Sequence, residues 1–383
     1  MNTQNSVLAI QLSAQAFEYS SDTNRGYLML LDSEGKGTAL EVGLIHGAQP
    51  LWRDEGLYFG GTNDEFVVDD SGLTRIPRNS ESHFELARYP QSEKSGFISF
   101  YNSGAEAGTY FQKFTVGDIS GVRDINVPGV YMSFGQCGDT IYGITSTRLS
   151  SNLTEAAALV SQDPRAAKQD HDALVQLYPG EDRLDPEVLI SVRADESFQA
   201  GSREVRCVGS SVYQPGFLLD NPNARKGDGK DPKSGHVAFR VWDMEAGTAS
   251  ILDLVDDEGA FIEVSGDELH GPSVGHLEGT AYRFVTGSGK VFSADLSTGV
   301  TTHEFTIPPS PDDASQSIYR VGKEHVYVLH AGNGGNSPPP SLLRYQIPSG
   351  EEEHLITLSD ISRYFHNGVL IQGMAINPEF MKQ

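Results

Sequence analysis

Residues 290–307 read KVFSADLSTGVTTHEFTI. Two β-rich stretches flank a polar turn that begins at Asp295 and closes on Gly299. An Asp or Ser early in such a turn bonds to the backbone ahead of it, and a closing Gly takes the positive φ that a tight, bulged hairpin requires. Moving outward, the same unit recurs: YLMLLDSEG–TALEVGL from Tyr27, FVVDDSG–LTRIP from Phe66, FQKFTVGDISG–VRDINV from Phe111, VAFRVWDMEAG–TASILDL from Val237 and LLRYQIPSG–EEEHLITL from Leu342. A seventh hairpin, ALVQLYPGED–PEVLISV from Ala173, has a differently built turn.

Most hairpins follow a Gly and a short β-rich stretch that usually carries Tyr, as in EGLYFGG, CGDTIYGI and EGTAYRFV. Before most of those glycines lies another candidate strand: QPLWRDE, VYMSFGQ, EVRCV, PSVGHL, SIYRV. Each unit therefore reads strand a, Gly turn, strand b, loop, strand c, Gly turn, strand d. Four antiparallel strands per unit make one propeller blade. The turn glycines Gly35, Gly72, Gly121, Gly247, Gly299 and Gly350 recur at about one blade length, except where insertions intervene. The N-terminus supplies three strands of a unit and the C-terminus one spare strand, NGVLIQGMAIN. Joined, they complete a seventh blade and remove the two open edges of the array. The expectation is all-β: one seven-bladed propeller domain over 1–383, with blade 7 split between 1–45 and 362–383 and insertions at 146–170 and 218–235.

The pattern resembles the broad superfamily of seven-bladed propellers that includes the WD-repeat and quinoprotein-like groups. The D-x-S-T-G turn at Asp295–Gly299 is similar to the c–d turn of bacterial members. The resemblance is architectural. Trp242-Asp243 occurs once rather than once per blade, and two Trp are too few for the tryptophan docking motifs of quinoproteins.

The bulk numbers narrow the partners. A net charge of −24 repels phosphate backbones and anionic membrane surfaces, so nucleic acid is not an expected partner. No apolar run is long enough to span a bilayer. The start, MNTQNSVLAIQLSAQ, has no basic n-region and does not read as a signal peptide. An acidic, Gly-rich propeller nonetheless suggests an exported bacterial protein, extracytoplasmic or anchored at the cell surface as a lipoprotein, whose leader lies outside this sequence; a cytoplasmic home stays open. Cys137 and Cys207 each stand just before the Gly turn of an inner strand in neighbouring blades. Inner strands of adjacent blades are expected to lie too far apart for ladder pairing, though their ends converge toward the channel. Two separate buried thiols are the preferred reading, and a bridge between blades 3 and 4 is the alternative.

Function in such a ring concentrates on the face bearing the long b–c and d–a loops. Blade 3 carries the insertion from Ser146 to Asp170, in which LTEAAALVSQDPRAAKQ reads as a short helix ending at Pro164. Blade 4 carries LLDNPNARKGDGKDPKSG, where Arg225, Lys226 and Lys230 form a basic patch on an acidic protein. DGKD resembles part of a calcium loop but lacks the full ligand pattern, so a solvated loop is preferred and no metal or cofactor is expected. His236, His270 and His330 fall near strand ends on the long-loop face, as do His46 and His366. None belongs to an H-x-x-x-H or H-E-x-x-H motif. GSGK at Gly287–Lys290 lacks P-loop spacing and reads as a b–c hairpin turn. The expectation is a monomeric, non-enzymatic binding module presenting this face to a protein or carbohydrate, with Arg225, Lys226, Lys230, His236, His270 and His330 as candidate contacts. The alternative is a metal-assisted lactonase or lyase at the channel mouth. Convergence of His and carboxylates from different blades would favour the enzyme.

Overall fold

The computed structural model describes residues 1–14, 25–91, 96–106, 108–161, 169–179, 186–201, 203–220, 235–264, 275–310, 316–331, 339–359, 361–364 and 369–382. The strands form seven sheets, each with four antiparallel strands on its main path. Blade 1 spans Leu51–Arg53 to Leu73–Pro77, blade 2 Glu85–Pro90 to Gly121–Pro128, and blade 3 Ser133–Cys137 to Glu187–Arg193. Blade 4 runs from Phe198–Ala200 to Thr248–Asp253, blade 5 from His276–Glu278 to Thr301–Thr306, and blade 6 from Gln316–Val321 to Glu352–Thr357. Blade 7 is the split one. Its inner strand, Val369–Ile376, pairs with Leu8–Ala14, Leu8 lying opposite Ile376 and Ala14 opposite Val369.

Burial follows position in the blade. In blade 7 the strands Leu8–Ala14 and Gly26–Leu31 are buried throughout, whereas the outer strand Gly37–Glu41 is not. A middle strand is covered on both faces by the blades beside it, so it reads as a continuous apolar run rather than an alternating one.

The turn chemistry acts as the sequence implies. Asp295 Oδ1 accepts from the Ser297 amide (2.9 Å), Asp32 Oδ1 from Glu34 (2.9 Å), and Asp69 Oδ1 from Ser71 (2.7 Å). The closing glycines have a second task. A Cβ on Gly299 (φ 79°) would stand 2.3 Å from the Asp253 carbonyl oxygen, and one on Gly35 (φ 74°) 2.1 Å from that of Thr357. These two turns, like that at Gly350 against Phe305, nest on the preceding blade's outer strand and need Gly for packing as well as for the turn, whereas a Cβ on Gly72, Gly121 or Gly247 would meet nothing within 4 Å.

Every pair of neighbouring blades shares an apolar cluster. The cluster between blades 6 and 7 includes Leu329, Leu342, Ile10, Ile371 and Met374. That between blades 1 and 2 has only Tyr58, Val67, Ile76 and Phe97 as buried members. The same wedge holds a fully buried ion network. Glu65 Oε1 accepts from Arg78 Nη1 (3.0 Å) and from the Tyr101 hydroxyl (2.5 Å), and Glu65 Oε2 from Arg88 Nη1 (2.9 Å). Arg88 also donates to both Glu85 oxygens, at 3.1 and 3.0 Å. Burial opposes the charge on Arg88, but Glu65 and Glu85 together outweigh it and hold its pKa well above the ordinary value.

Two expectations change. The blade 3 insertion is helical over Thr154–Val160, with Leu153 and Ala157 turned inward, so the helix ends before Pro164, which lies outside the described residues. Among the described residues, isolated parallel bridges beside the inner strands join neighbouring blades in two places. The His46 amide donates to the His83 carbonyl and the Glu85 amide to that of His46, both at 2.8 Å. The Phe134 amide donates to the Arg203 carbonyl (2.6 Å) and the Val205 amide to that of Phe134 (3.1 Å).

Candidate functional site: the axial channel

The second of these pairings builds the site. The inner edge of blade 4 is broken into Phe198–Ala200 and Arg206–Val208, and between them the backbones of Arg203 and Val205 bond to blade 3. Gly135 permits the approach, since a Cβ there would lie 2.3 Å from the Val205 carbonyl oxygen. Beyond the pairing, Cys137 and Cys207 form a disulfide with Cα atoms 5.8 Å apart. The expectation of separate thiols therefore fails. It assumed inner strands held apart, whereas local pairing draws these two within bridging range. On the channel side the excursion presents Arg203 and Glu204.

The channel is a cavity of about 1220 Å³ to which all seven blades contribute: Trp52, Tyr89, Phe134, Glu204, His276, Arg320 and Met374 stand one per blade, in chain order. Its charged groups tie distant blades together. Glu204 Oε1 pairs with Arg206 Nη2 at 2.7 Å, and Arg206 Nη2 also donates to the Gly275 carbonyl at 2.6 Å. Arg320 donates from Nη2 to Gln49 Oε1 (2.8 Å) and from Nε to the Met374 carbonyl (3.0 Å). Burial raises the pKa of Glu204, with Arg206 and Arg320 opposing that rise. Burial lowers the pKa of His276, and Arg283 and Arg206 add to the effect. Arg203 is different. Its guanidinium carbon lies 5.3 Å from the centre of the Phe84 ring, and it is exposed to the channel space while enclosed by enough protein for burial to lower its pKa.

The residues singled out from sequence do not assemble here. Arg225, Lys226, Lys230 and His270, like His366, lie outside the described residues. His236 is at the long-loop end of its strand, but its Nε2 is 2.9 Å from Asp253 Oδ1 and its ring stacks on Phe261 at 4.2 Å. It pins the segment that follows blade 4, whose Glu263–Val264 pairs along the same strand. His330 is buried, with Nδ1 3.0 Å from Ser317 Oγ, and burial lowers its pKa. Neither lines the channel. Among the described residues no group of three His, Cys, Asp or Glu side chains is arranged to hold a metal ion. The charged channel residues that sequence reasoning passed over left a signal: EVRCV and SIYRV carry Glu204 and Arg320 within candidate inner-strand segments, where a blade wall needs only apolar residues.

Ring closure, blade count and a ligand-sized axial channel define a seven-bladed β-propeller, and at that architectural level the resemblance read from the sequence holds. Residues 3–166 match the family model described as the YycP β-propeller domain. No curated protein matches the chain. Similar solved structures include the β-propeller domain of the Trilobed protease from Pyrococcus furiosus, at 11% identity over 89% of this chain and 93% of that one, with a TM-score of 0.45. An apocarotenoid oxygenase from Synechocystis is similar at 8% identity over 94% and 91%, with a TM-score of 0.48. BamB from Moraxella catarrhalis is similar at 10% identity over 91% and 88%, with a TM-score of 0.37. Likenesses of this size carry no statement about ligand or activity. No helix among the described residues is long and apolar enough to cross a membrane.

Proposed function

We propose that this protein is a non-enzymatic binding module, acting as a monomer, that takes part of a carbohydrate or protein ligand into the axial channel from the long-loop face. The observation that carries the reading is the channel itself, a 1220 Å³ space walled by all seven blades. Its Glu204 is held by Arg206, and its Arg320 by Gln49 and the Met374 carbonyl. Such groups suit a preorganised binding wall better than a proton-transfer or nucleophilic step, which needs a poised base beside a reacting atom. The inter-blade disulfide supports an extracytoplasmic, oxidising home.

Trp52 lines the channel, whereas Trp242 is fully buried, so Trp52 emission reports on occupancy. Titration with mono- and oligosaccharides and with short peptides is expected to give a saturable change that Trp52→Phe abolishes. Turnover of a lactone or uronide panel, dependent on an added divalent cation, would replace this reading with the enzymatic one.

A further inference from the structure

The chain as a whole is strongly acidic, with a net charge of −24, yet the channel lining includes the arginines Arg203 and Arg320. Arg203 and Arg320 line the channel with Glu204, whose own partner is Arg206. Arg206 and Arg320 have protein acceptors. Among the described residues Arg203 has no carboxylate or carbonyl acceptor; its guanidinium lies over the face of Phe84 and close enough to His46 to help lower that ring's pKa. An exposed guanidinium that lines the channel, with no counter-ion among the described residues, is free to take a bound anion. Its planar fork matches a carboxylate, and the aromatic face behind it fixes its plane.

The lining also includes Leu86, Tyr89 and Phe134, an apolar stretch in which the last two are anchored in the core between blades 2 and 3. The protein's overall negative charge does not prevent an anion from entering. At physiological salt the Debye length is about 8 Å, so distant surface carboxylates are screened while a contact inside the channel is not.

We infer that the channel binds a small organic carboxylate, its carboxyl group held by Arg203 and its body lying against the wall formed by Leu86, Tyr89 and Phe134. This rests on the channel-binding reading above and gives its ligand a charge. An acidic sugar and an acidic peptide side chain both supply the chemistry, and matched probes separate them.

The full chain is titrated, with Trp52 emission as readout, against glucuronate and glucose, and against N-acetyl-aspartate amide and N-acetyl-asparagine amide. Within at least one pair the carboxylate is expected to bind about tenfold tighter than its neutral partner, as one charge-assisted, bidentate contact allows. Which pair responds identifies the source. Arg203→Gln is expected to remove that preference and Arg203→Lys to keep part of it. Both variants should melt like the parent, because among the described residues Arg203 makes no side-chain hydrogen bond to lose.

Equal binding of charged and neutral partners in both pairs would overturn the inference and leave the channel-binding reading standing. So would a carboxylate preference that survives in Arg203→Gln. Absence of saturable binding by any of the four probes up to about 10 mM, a free energy near the weak end of specific binding, would overturn both.

Discussion

Replacing Glu65 by Gln tests whether the wedge between blades 1 and 2 is held by charge. That interface has the smallest apolar cluster of the ring, and Glu65 is the shared acceptor of Arg78, Arg88 and the Tyr101 hydroxyl, with both arginine side chains and Glu65 itself fully buried. The substitution keeps the shape and removes the charge. Among the described residues of this network Glu85 is then the one carboxylate facing two buried guanidinium groups, and Arg78 loses its charged partner while keeping the carbonyls of Gly61 and Thr62 and the Tyr101 ring. Removing one partner of a buried ion pair costs about 3–5 kcal/mol. An unfolding entropy of about 2.1 cal/mol/K per residue, taken over 383 residues, is about 0.8 kcal/mol/K. The expected fall in Tm is therefore roughly 4–6 °C, read by calorimetry or by circular dichroism. Adding Arg78→Met to Glu65→Gln restores charge balance, leaving Arg88 with Glu85, and is expected to recover roughly half of the loss. A single variant that melts within about 1 °C of the parent, or a double variant that is strictly additive, would refute the idea that this wedge depends on its ions.

Three further outcomes follow from the ring. Ending the chain after Ser362 removes the buried side chains of Val369, Ile371, Met374 and Ile376; at about 1.5–3 kcal/mol each this approaches the whole stability of a domain, about 5–15 kcal/mol, so the truncated chain should show no cooperative melt, and a normal melt would sink the closure argument. Thiol titration of the denatured, unreduced protein is expected to find no free thiol, and Cys137→Ser with Cys207→Ser to lose up to about 4 kcal/mol by the chain-entropy relation for a sequence separation of 70; two free thiols would refute the bridge. His330 has its pKa lowered by burial, so the unfolded chain binds its proton first, and the stability this group contributes is full above the unfolded pKa near 6.5 and is lost as pH falls below it. His330→Gln should therefore gain Tm relative to the parent between pH 7 and pH 5, and a difference that does not change with pH would refute that assignment.

The sequence by itself determined the blades. Turn residues such as Asp295 and Gly299 act within a few residues of where they stand, and middle strands such as YLMLL from Tyr27 announce two-sided burial by their own composition. The three-plus-one closure was legible for the same reason, as strand content at each terminus. The channel was not legible. Arg320 meets Gln49 across 271 positions of sequence, and the Glu204–Arg206 pair faces inward only because Val205 leaves its own sheet to bond with Phe134. The disulfide depends on that same excursion, and the silence of His236 and His330 as site residues depends on Asp253 and Ser317 lying beside them. Local hydrogen bonding and side-chain periodicity are written in short segments. Which single residues from separate blades share one cavity is decided by ring closure and by the few inter-blade bonds that bend an inner strand out of line.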